Sequence, residues 1–409
     1  MPVEMRPITD EEFVAFNRTA ESATGERSSD SFLEPLRHIT QLDRTLVCLE
    51  DGRMVGTASA YAFELTLPGA VIVPVAAVTS VSVLPTHRRQ GLLSGMMRRQ
   101  LADVRARGEA IAILQCSESL IYGRFGYGLA TSAAMYEIER EHTAFARPLA
   151  APGRVAMTGH EVAGPLVHQL HDRARRTRPG ALGLPEGYWK LVLRDPDAPL
   201  GDQGPRFFAT YTAPDGTVEG IVYYRVRSTA EYGLTTSRLS IGHLISTTPE
   251  AYAALWHYCL HADLMKTIYA PSRSVEEPLR WLLADPRRLR VVTLTDDVWV
   301  RLVDVATALA ARRYAAPGRL VLEVADVFCP DQAGRYTLEG GPEGATCQRT
   351  SDAPDLALDV ADLGAAFLGG VRFATLATAG RVRALTPDAL ARADALFRTE
   401  VAPWSGNGF

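Results

Sequence analysis

Two neighbouring arginines and a glycine form the segment whose residue types best suit a diphosphate. Arg88, Arg89 and Gly91 stand between the β-branched run Val71–Val83 and an apolar helical stripe that starts at Leu92. A helix N-terminus offers backbone N–H groups without intrahelical partners and a partial positive charge, so an anion binds there. Glycine allows a close approach of the backbone, and guanidinium groups match phosphate oxygens. The spacing therefore predicts a diphosphate-binding turn, with an ordinary solvated arginine pair as the alternative.

Two tyrosines that follow this turn are candidates for a proton donor. The stretch Cys116–Gly128 starts with the signal of a short helix and continues with aromatic residues separated by glycines. Such a stretch can place a tyrosine hydroxyl beside a thioester, and a tyrosine with a pKa near 10 stays protonated at neutral pH. Tyr122 and Tyr127 both qualify as a general acid, and a role in core packing is the alternative for each.

The elements around the turn have the order that such a site needs. The runs Val71–Val83 and Ala110–Leu114 have the composition of strands, and a helical apolar stripe lies between them. The order of strand, anion-binding turn, helix and strand is that of an acyl-CoA-binding core. The stripe of the predicted helix comprises Leu92, Leu93, Met96, Met97, Leu101 and Val104.

Three segments together resemble one family, the Eis (enhanced intracellular survival) aminoglycoside N-acetyltransferases of actinobacteria, within the GNAT superfamily. They are the turn Val81–Leu93, the tyrosine segment Ser117–Gly128 and the last residue, Phe409. The sequence departs from the short acyl-CoA motif at Leu93, where glycine or alanine is usual. The resemblance extends over the full length of the chain.

The resemblance implies a set of site residues. It selects Tyr122 over Tyr127 as the general acid, because the acid of the family precedes the sequence Gly-Arg-Phe-Gly. It makes the α-carboxylate of Phe409 the general base, threaded back into the first domain, whereas the residues alone favour a frayed terminus. No metal ion is expected. The residues implied to bind acetyl-CoA are Val81, Ser82, Val83, Arg88, Arg89, Gln90, Gly91, Leu92, Leu93, Ser94, Ser117 and Glu118.

The length of the chain and the pattern of its elements predict an α+β (mixed α/β) protein of three domains. A chain of 409 residues exceeds one typical domain, and proline-containing breaks occur at Ala150–Gly153 and Asp285–Arg288. The middle region alternates strands with a helix but has no anion-binding turn, so it is similar to a second, degenerate GNAT-type domain. The last region resembles a sterol-carrier-protein-like domain. The predicted domains are 1–145, 146–288 and 289–409.

Composition and charge limit the kinds of partner and the cellular location that the sequence predicts. The net charge of −4 argues against a nucleic acid and permits a cationic substrate. Five cysteines without a CxxC pair indicate neither a disulfide framework nor a zinc site, and the pairs His168/His171 and His257/His261 are interpreted as helix faces. The N-terminus lacks an apolar signal core and no run is long enough to span a bilayer, which predicts a cytoplasmic protein.

The sequence therefore predicts an acetyl-CoA-dependent N-acetyltransferase that acts on substrates with several amines. Aminoglycosides are the acceptors that the resemblance implies, with antibiotic resistance as the consequence, and polyamines or lysine side chains are further acceptors. The resemblance also implies a homohexamer. The alternative function is an apolar-ligand carrier or regulatory scaffold that uses the sterol-carrier-like domain.

Overall fold

The structure is a computed structural model and describes residues 3–194 and 204–409. Three main sheets and one small hairpin account for its strands. The strands are, in chain order, β1 (Glu4–Arg6), β2 (Thr45–Glu50), β3 (Arg53–Leu67), β4 (Val71–Val83), β5 (Ile111–Leu114), β6 (Gly128–Leu129), β7 (Ser132–Glu139), β8 (Arg154–Thr158), β9 (Leu182–Gly183), β10 (Arg206–Thr212), β11 (Val218–Arg227), β12 (Ala230–Glu231), β13 (Leu234–Thr235), β14 (Ser237–Ser246), β15 (Met265–Ser274), β16 (Arg290–Asp296), β17 (Trp299–Leu302), β18 (Gly318–Ala325), β19 (Gly334–Gly341), β20 (Gly344–Arg349), β21 (Leu356–Asp359) and β22 (Val382–Ala384).

The helices lie between these strands. None in the described ranges has both the length and the apolar content that a membrane crossing requires. The helices are, in chain order, α1 (Phe13–Thr24), α2 (Asp30–Ile39), α3 (Leu92–Ala106), α4 (Ser119–Tyr122), α5 (His160–Arg175), α6 (Glu186–Leu193), α7 (Pro249–Leu260), α8 (Leu279–Leu282), α9 (Val305–Ala311), α10 (Val360–Ala366), α11 (Phe373–Thr378) and α12 (Ala389–Phe397).

The first sheet contains the predicted order of elements. Its strands lie in the order β1, β2, β3, β4, β5, β17 and β6, and β9 pairs with β3. Strands β4 and β5 are parallel, and helix α3 forms the crossover that a parallel pair needs. The prediction of strand, turn, helix and strand is therefore confirmed. The turn before α3 consequently lies at the carboxyl end of β4.

The apolar stripe of α3 packs into the core of this sheet. Met96 and Met97 are fully buried, and the core includes Val78 and Leu114 of the parallel strands. Leu93, predicted in the same stripe, is only half-buried. Complete burial of a Met, Val or Leu side chain stabilises the fold by about 1.5–3 kcal/mol. The packing fixes α3 on the sheet and thereby fixes its N-terminus.

The second sheet repeats the parallel pair without the turn. Its strands lie in the order β16, β7, β15, β14, β11, β10 and β8, and helix α7 joins the parallel strands β14 and β15. The hydroxyl oxygen of Thr248 accepts a hydrogen bond from the N–H of Ala251 at 3.2 Å and caps α7. A side chain therefore occupies the place where the first sheet presents backbone N–H groups. This is the structural basis of the predicted degenerate core.

The third sheet has the order β20, β19, β18, β21 and β22, with helices α9 to α12 in the same region of the chain. The chain forms two compact units. One consists of Met1–Thr131, Thr177–Leu191 and Asp296–Phe409, and the other of Ser132–Arg176 and Val192–Thr295. Strand β7 precedes the predicted boundary at residue 145 but pairs in the second sheet, and β17 follows the boundary at residue 288 but pairs in the first sheet. The compact units therefore do not follow the order of the sequence. The division of the sequence at residues 145 and 288 stays a prediction.

Candidate active site

A bulge in β4 shapes the start of the site. Ser80 has a φ of +51°, and the register between β3 and β4 shifts at this point. The hydroxyl of Thr57 donates to the carbonyl oxygen of Ser80 at 2.8 Å and lies 2.7 Å from the hydroxyl of Ser82. Parallel pairing of β4 with β5 covers only residues 76–78. A bulge bends a strand and ends its pairing, so β4 diverges from β5 before the predicted residues Val81, Ser82 and Val83.

The turn after β4 has the backbone of an anion-binding site. Arg89 has a φ of +64° and Gly91 a φ of +83°, both in the left-handed region. A Cβ at Gly91 would meet no atom within 4 Å, so backbone conformation and not crowding requires glycine there. Helix α3 begins without a side-chain cap, which leaves the N–H groups of Leu92 and Leu93 without intrahelical acceptors. Left-handed turns and uncapped helix N-termini both bind anions.

Arg88 also has a structural role in this turn. Its Nη2 donates to the carbonyl oxygen of Ala23 at 2.9 Å, and its Nε donates to that of Val83 at 3.3 Å. The side chain therefore joins the end of α1 to the turn. Arg88 and Arg89 are both exposed on the turn.

One cleft of about 360 Å³ collects the predicted cofactor residues. All of them line it except Gln90, which is exposed on the turn. Tyr122 also lines the cleft, and Phe409 is not among the lining residues. The lining consists of Ala23, Thr24, Val81, Ser82, Val83, His87, Arg88, Arg89, Gly91, Leu92, Leu93, Ser94, Ser117, Glu118, Ile121, Tyr122 and Arg124.

The two candidate tyrosines differ in burial. Tyr122 ends α4, is 9% exposed and lines the cleft. Burial raises the pKa of Tyr122 to about 12, and Cys116 and Glu118 raise it further. Tyr127 is fully buried, burial raises its pKa, and its hydroxyl has no hydrogen-bond partner among the described residues. The cleft can therefore use the hydroxyl of Tyr122, which stays protonated at neutral pH.

A glycine and a buried arginine support the tyrosine segment. Gly126 has a φ of +83°, and a Cβ there would collide with the guanidinium of Arg301. Tyr122 contacts the rings of Phe125 and Tyr127 edge-on, with centroid distances of 6.5 and 6.0 Å. The glycine therefore lets the aromatic segment fold tightly over Arg301 and holds Tyr122 at the cleft.

The last seven residues fold back along the first unit. The N–H of Trp404 donates to the carbonyl oxygen of Pro179 at 2.9 Å. The hydroxyl of Ser405 lies 2.9 and 3.0 Å from the two carboxylate oxygens of Asp297, and the hydroxyl of Tyr188 donates to the carbonyl oxygen of Gly408. These contacts hold a segment that has no regular secondary structure of its own.

Phe409 ends beside the carboxyl end of β5. Its N–H donates to Oε1 of Gln115 at 3.2 Å, and its ring contacts Phe63 edge-on at 5.9 Å. Gln115 directly follows β5 and stands two residues before Ser117 of the cleft. The terminal residue and the cleft residues are therefore anchored to the same end of one strand.

Sequence reasoning missed the side chains that hold this tail. Gln115, Asp297 and Tyr188 belong to no motif, and their partners lie more than 100 residues away in the chain. The proline and glycines of the tail were the only signal, because such a segment needs a partner to become ordered.

Cys116 directly precedes the cleft residue Ser117, and its thiol is bound to an acidic side chain. The thiol of Cys116 donates to the carboxylate of Asp296 at 3.1 Å, and burial, with that hydrogen bond, raises its pKa to about 12. A thiol in this state is a poor nucleophile. In residues 3–194 and 204–409, no three His, Cys, Asp or Glu side chains are grouped as metal ligands.

Comparison with protein-family models defines the class of the chain. A GNAT acetyltransferase domain matches residues 4–130, a second GNAT acetyltransferase domain matches residues 180–302, and a sterol carrier protein domain matches residues 305–406. The predicted fold class is confirmed: two GNAT-type domains, the second degenerate, and a sterol-carrier-like domain in a mixed α+β protein. The chain is an N-acetyltransferase.

Individual relatives define the family. The chain is 41% identical over 382 residues to an uncharacterized N-acetyltransferase of Streptomyces coelicolor, with 92% of both chains covered. It is 34% identical over 359 residues to N-acetyltransferase Eis of Mycobacterium tuberculosis, with 85% of this chain and 84% of Eis covered. The crystal structure of Eis1 from Mycobacterium abscessus matches with a TM-score of 0.88 at 35% identity, covering 99% of this chain and 100% of Eis1. The chain belongs to the Eis family, as its three segments predicted.

Proposed function

We propose that this enzyme transfers the acetyl group of acetyl-CoA to amines of substrates that carry several amino groups. Aminoglycosides are the first candidates, and polyamines or lysine side chains are further ones. The observation that carries the proposal is the cleft, whose lining combines the anion-binding turn with the protonated hydroxyl of Tyr122. The net charge of −4 favours a cationic acceptor.

The residues of the cleft fit the cosubstrate. In our proposal, the N–H groups at Gly91–Ser94 and the charge of Arg88 hold the diphosphate of CoA. The backbone of Val81–Val83 holds the pantetheine arm as an added strand, because the pairing of β4 with β5 has already ended. Ser117 and Glu118 flank the thioester end.

The proposed reaction is a direct transfer of the acetyl group from the sulfur of CoA to the amine. The neutral amine attacks the thioester carbonyl carbon, and the carbon–sulfur bond breaks. The carboxylate of Phe409 accepts the proton that the amine loses, and the hydroxyl of Tyr122 donates a proton to the departing sulfur. The carboxylate also attracts the cationic acceptor before the reaction.

The proposal also covers the oligomeric state, the cellular location and the domain boundaries. We propose a cytoplasmic homohexamer, which membership of the Eis family supports, and domains that divide the sequence at residues 145 and 288. The relatives are named N-acetyltransferases, which does not favour the alternative of an apolar-ligand carrier.

Thiol release from acetyl-CoA tests this function. The enzyme is incubated with aminoglycosides, polyamines and lysine peptides, and we expect release with at least one of these classes. Deletion of Phe409 shifts the terminal carboxylate by one residue and should lower kcat by about 10² or more, while CoA still binds. Phe409→Leu is the matched control, because it keeps the carboxylate in register. An unchanged rate after deletion would show that the base assignment is wrong, and absence of release with every acceptor would refute the function.

A further inference from the structure

Asp297 is a buried carboxylate that the proposed reaction does not use. It lies between β16 and β17 and is 5% exposed. It accepts hydrogen bonds from the N–H of Ser405 at 3.2 Å, from the hydroxyl of Thr131 at 3.0 Å and from Nε2 of Gln115 at 2.6 Å, and the hydroxyl of Ser405 contacts both of its oxygens. Its described partners are neutral donors. A buried carboxylate makes stronger hydrogen bonds than a neutral acceptor, so Ser405 is held firmly.

Gln115 connects this carboxylate to the terminal residue. Its Nε2 donates to Asp297 and, at 3.0 Å, to the carbonyl oxygen of Asn407. Its Oε1 accepts from the N–H of Phe409. The two acceptors on one side and the donor on the other fix the orientation of the amide. Gln115 therefore holds the N–H side of the last peptide unit, while Tyr188 donates to the Gly408 carbonyl oxygen on the other side of it.

Hydrogen bonds between Ser405 and Asn407 are local to the tail, and the contacts with distant side chains fix where this segment lies. Residues 403–409 form no helix or strand, and each ordered residue loses conformational entropy. Tyr188 and Pro179 add hydrogen bonds at two other points of the tail. Asp297 is the acidic side chain that binds Ser405, and Gln115 is the side chain that binds the N–H of Phe409.

We propose that Asp297 and Gln115 are positioning residues: Asp297 anchors the C-terminal tail through Ser405, and Gln115 sets the position of the terminal carboxylate. The catalytic part of this inference rests on the proposed function, in which that carboxylate is the base. The anchoring part does not, because it concerns only where the tail lies. The two parts therefore have separate measurements.

The test uses the full-length variants Asp297→Asn, Ser405→Ala and Gln115→Glu. The first replaces the carboxylate by an amide, and the third replaces the Nε2 donor by a second carboxylate next to Asp297. The second removes the hydroxyl partner of Asp297 in the tail, together with the hydrogen bonds that this hydroxyl makes with Asn407. Ser405→Ala alters only an irregular segment, so it keeps the proposal testable if a core variant fails to fold. Asp304→Ala is the control, because it removes the helix cap that binds the N–H of Thr307 and does not contact the tail.

Release of Phe409 by a carboxypeptidase measures anchoring without any assay of activity. We expect release about tenfold faster in the three variants than in the wild type and in Asp304→Ala. We also expect kcat to fall by about tenfold or more, with the KM for acetyl-CoA within about twofold of wild type, since the cleft residues are untouched. Unchanged release and unchanged kcat in Ser405→Ala and Asp297→Asn would overturn the inference. Faster release with unchanged kcat would confirm the anchor and refute Phe409 as the base.

Discussion

At the scale of single residues, Tyr122 and Tyr127 are two candidates of the same type that differ in burial and therefore in access to the cleft. Both rings lie in the same aromatic segment, and burial raises both pKa values. Tyr122 lines the cleft, whereas the hydroxyl of Tyr127 is buried and has no hydrogen-bond partner among the described residues. The sequence alone left both residues open, because the spacing of aromatic residues does not reveal which ring faces a cavity.

Replacement of Tyr122 by Phe should remove the proton donor and retain the packing of the ring. We expect kcat to fall by about 10²–10⁴, with little change in the KM for acetyl-CoA. Tyr127→Phe is the matched control and should keep both kcat and stability, because its hydroxyl is already unsatisfied. Steady-state kinetics of both variants check this. Equal losses of kcat in the two variants would contradict the assignment.

The raised pKa of Tyr122 predicts the alkaline side of the pH profile. The working form is the protonated hydroxyl, and a pKa of about 12 keeps nearly all of it protonated at pH 10, where an ordinary tyrosine is about half ionised. We therefore expect kcat to show no decline from this group between about pH 8 and pH 10.5. The measurement is kcat at saturating substrates, corrected for spontaneous thioester hydrolysis. A decline with a midpoint near pH 10 that Tyr122→Phe abolishes would contradict the raised pKa.

At the scale of elements, the turn between β4 and α3 depends on backbone conformation. Gly91 adopts a left-handed φ immediately before the helix, and the space above it is open. A ligand can therefore approach the helix N-terminus directly, and any other residue would be strained there.

Gly91→Ala should cost about 1–2 kcal/mol of folding free energy, because alanine is unfavourable at a φ of +83°. Part of that strain will appear as a distorted turn, so CoA should bind about tenfold more weakly. Gly380→Ala is the matched control, with a φ of +75° and open space but a position outside the cleft. Urea unfolding and calorimetric titration with CoA measure the two effects. A loss of CoA affinity in both variants would show that the effect is general destabilisation.

Local elements could be predicted from the sequence, whereas the long-range contacts of the site could not. Short-range patterns predict strand β4, the turn and helix α3: these patterns are a β-branched run, a glycine and an apolar stripe. Gln115 and Asp297 are 182 residues apart, and Asp297 and Ser405 are 108 apart. No periodicity indicates which distant polar side chains meet. Gln90 is exposed on the turn and does not line the cleft, so its contact with the cofactor stays a prediction.

At the scale of the whole molecule, a buried ion pair ties the sterol-carrier-like sheet to the first sheet. Arg301 of β17 contacts Asp326, just after β18, at 2.5 Å, and both side chains are almost completely excluded from solvent. Two Arg301 nitrogens, Nε and Nη1, have no hydrogen-bond partner among the described residues. The pair therefore couples two sheets within one compact unit, and the charge of Arg301 depends on Asp326 for compensation.

Asp326→Asn should destabilise the protein by about 3–5 kcal/mol, because it leaves a buried guanidinium without its counter-ion. The exposed pair Arg319–Asp352 provides the comparison, and Asp352→Asn should cost less than about 1 kcal/mol. Urea unfolding monitored by tryptophan fluorescence gives both values. Similar small losses in the two variants would show that the buried pair does not couple the sheets.

The two parallel strand pairs that are joined by α3 and α7 differ at the N-terminus of the joining helix. Helix α3 starts at a left-handed glycine without a side-chain cap, while Thr248 already supplies an acceptor to the first turn of α7. Of these two helices, α3 alone begins without a side-chain cap, so the proposed function predicts one CoA site per chain. Calorimetric titration should consequently saturate at one equivalent of CoA per chain.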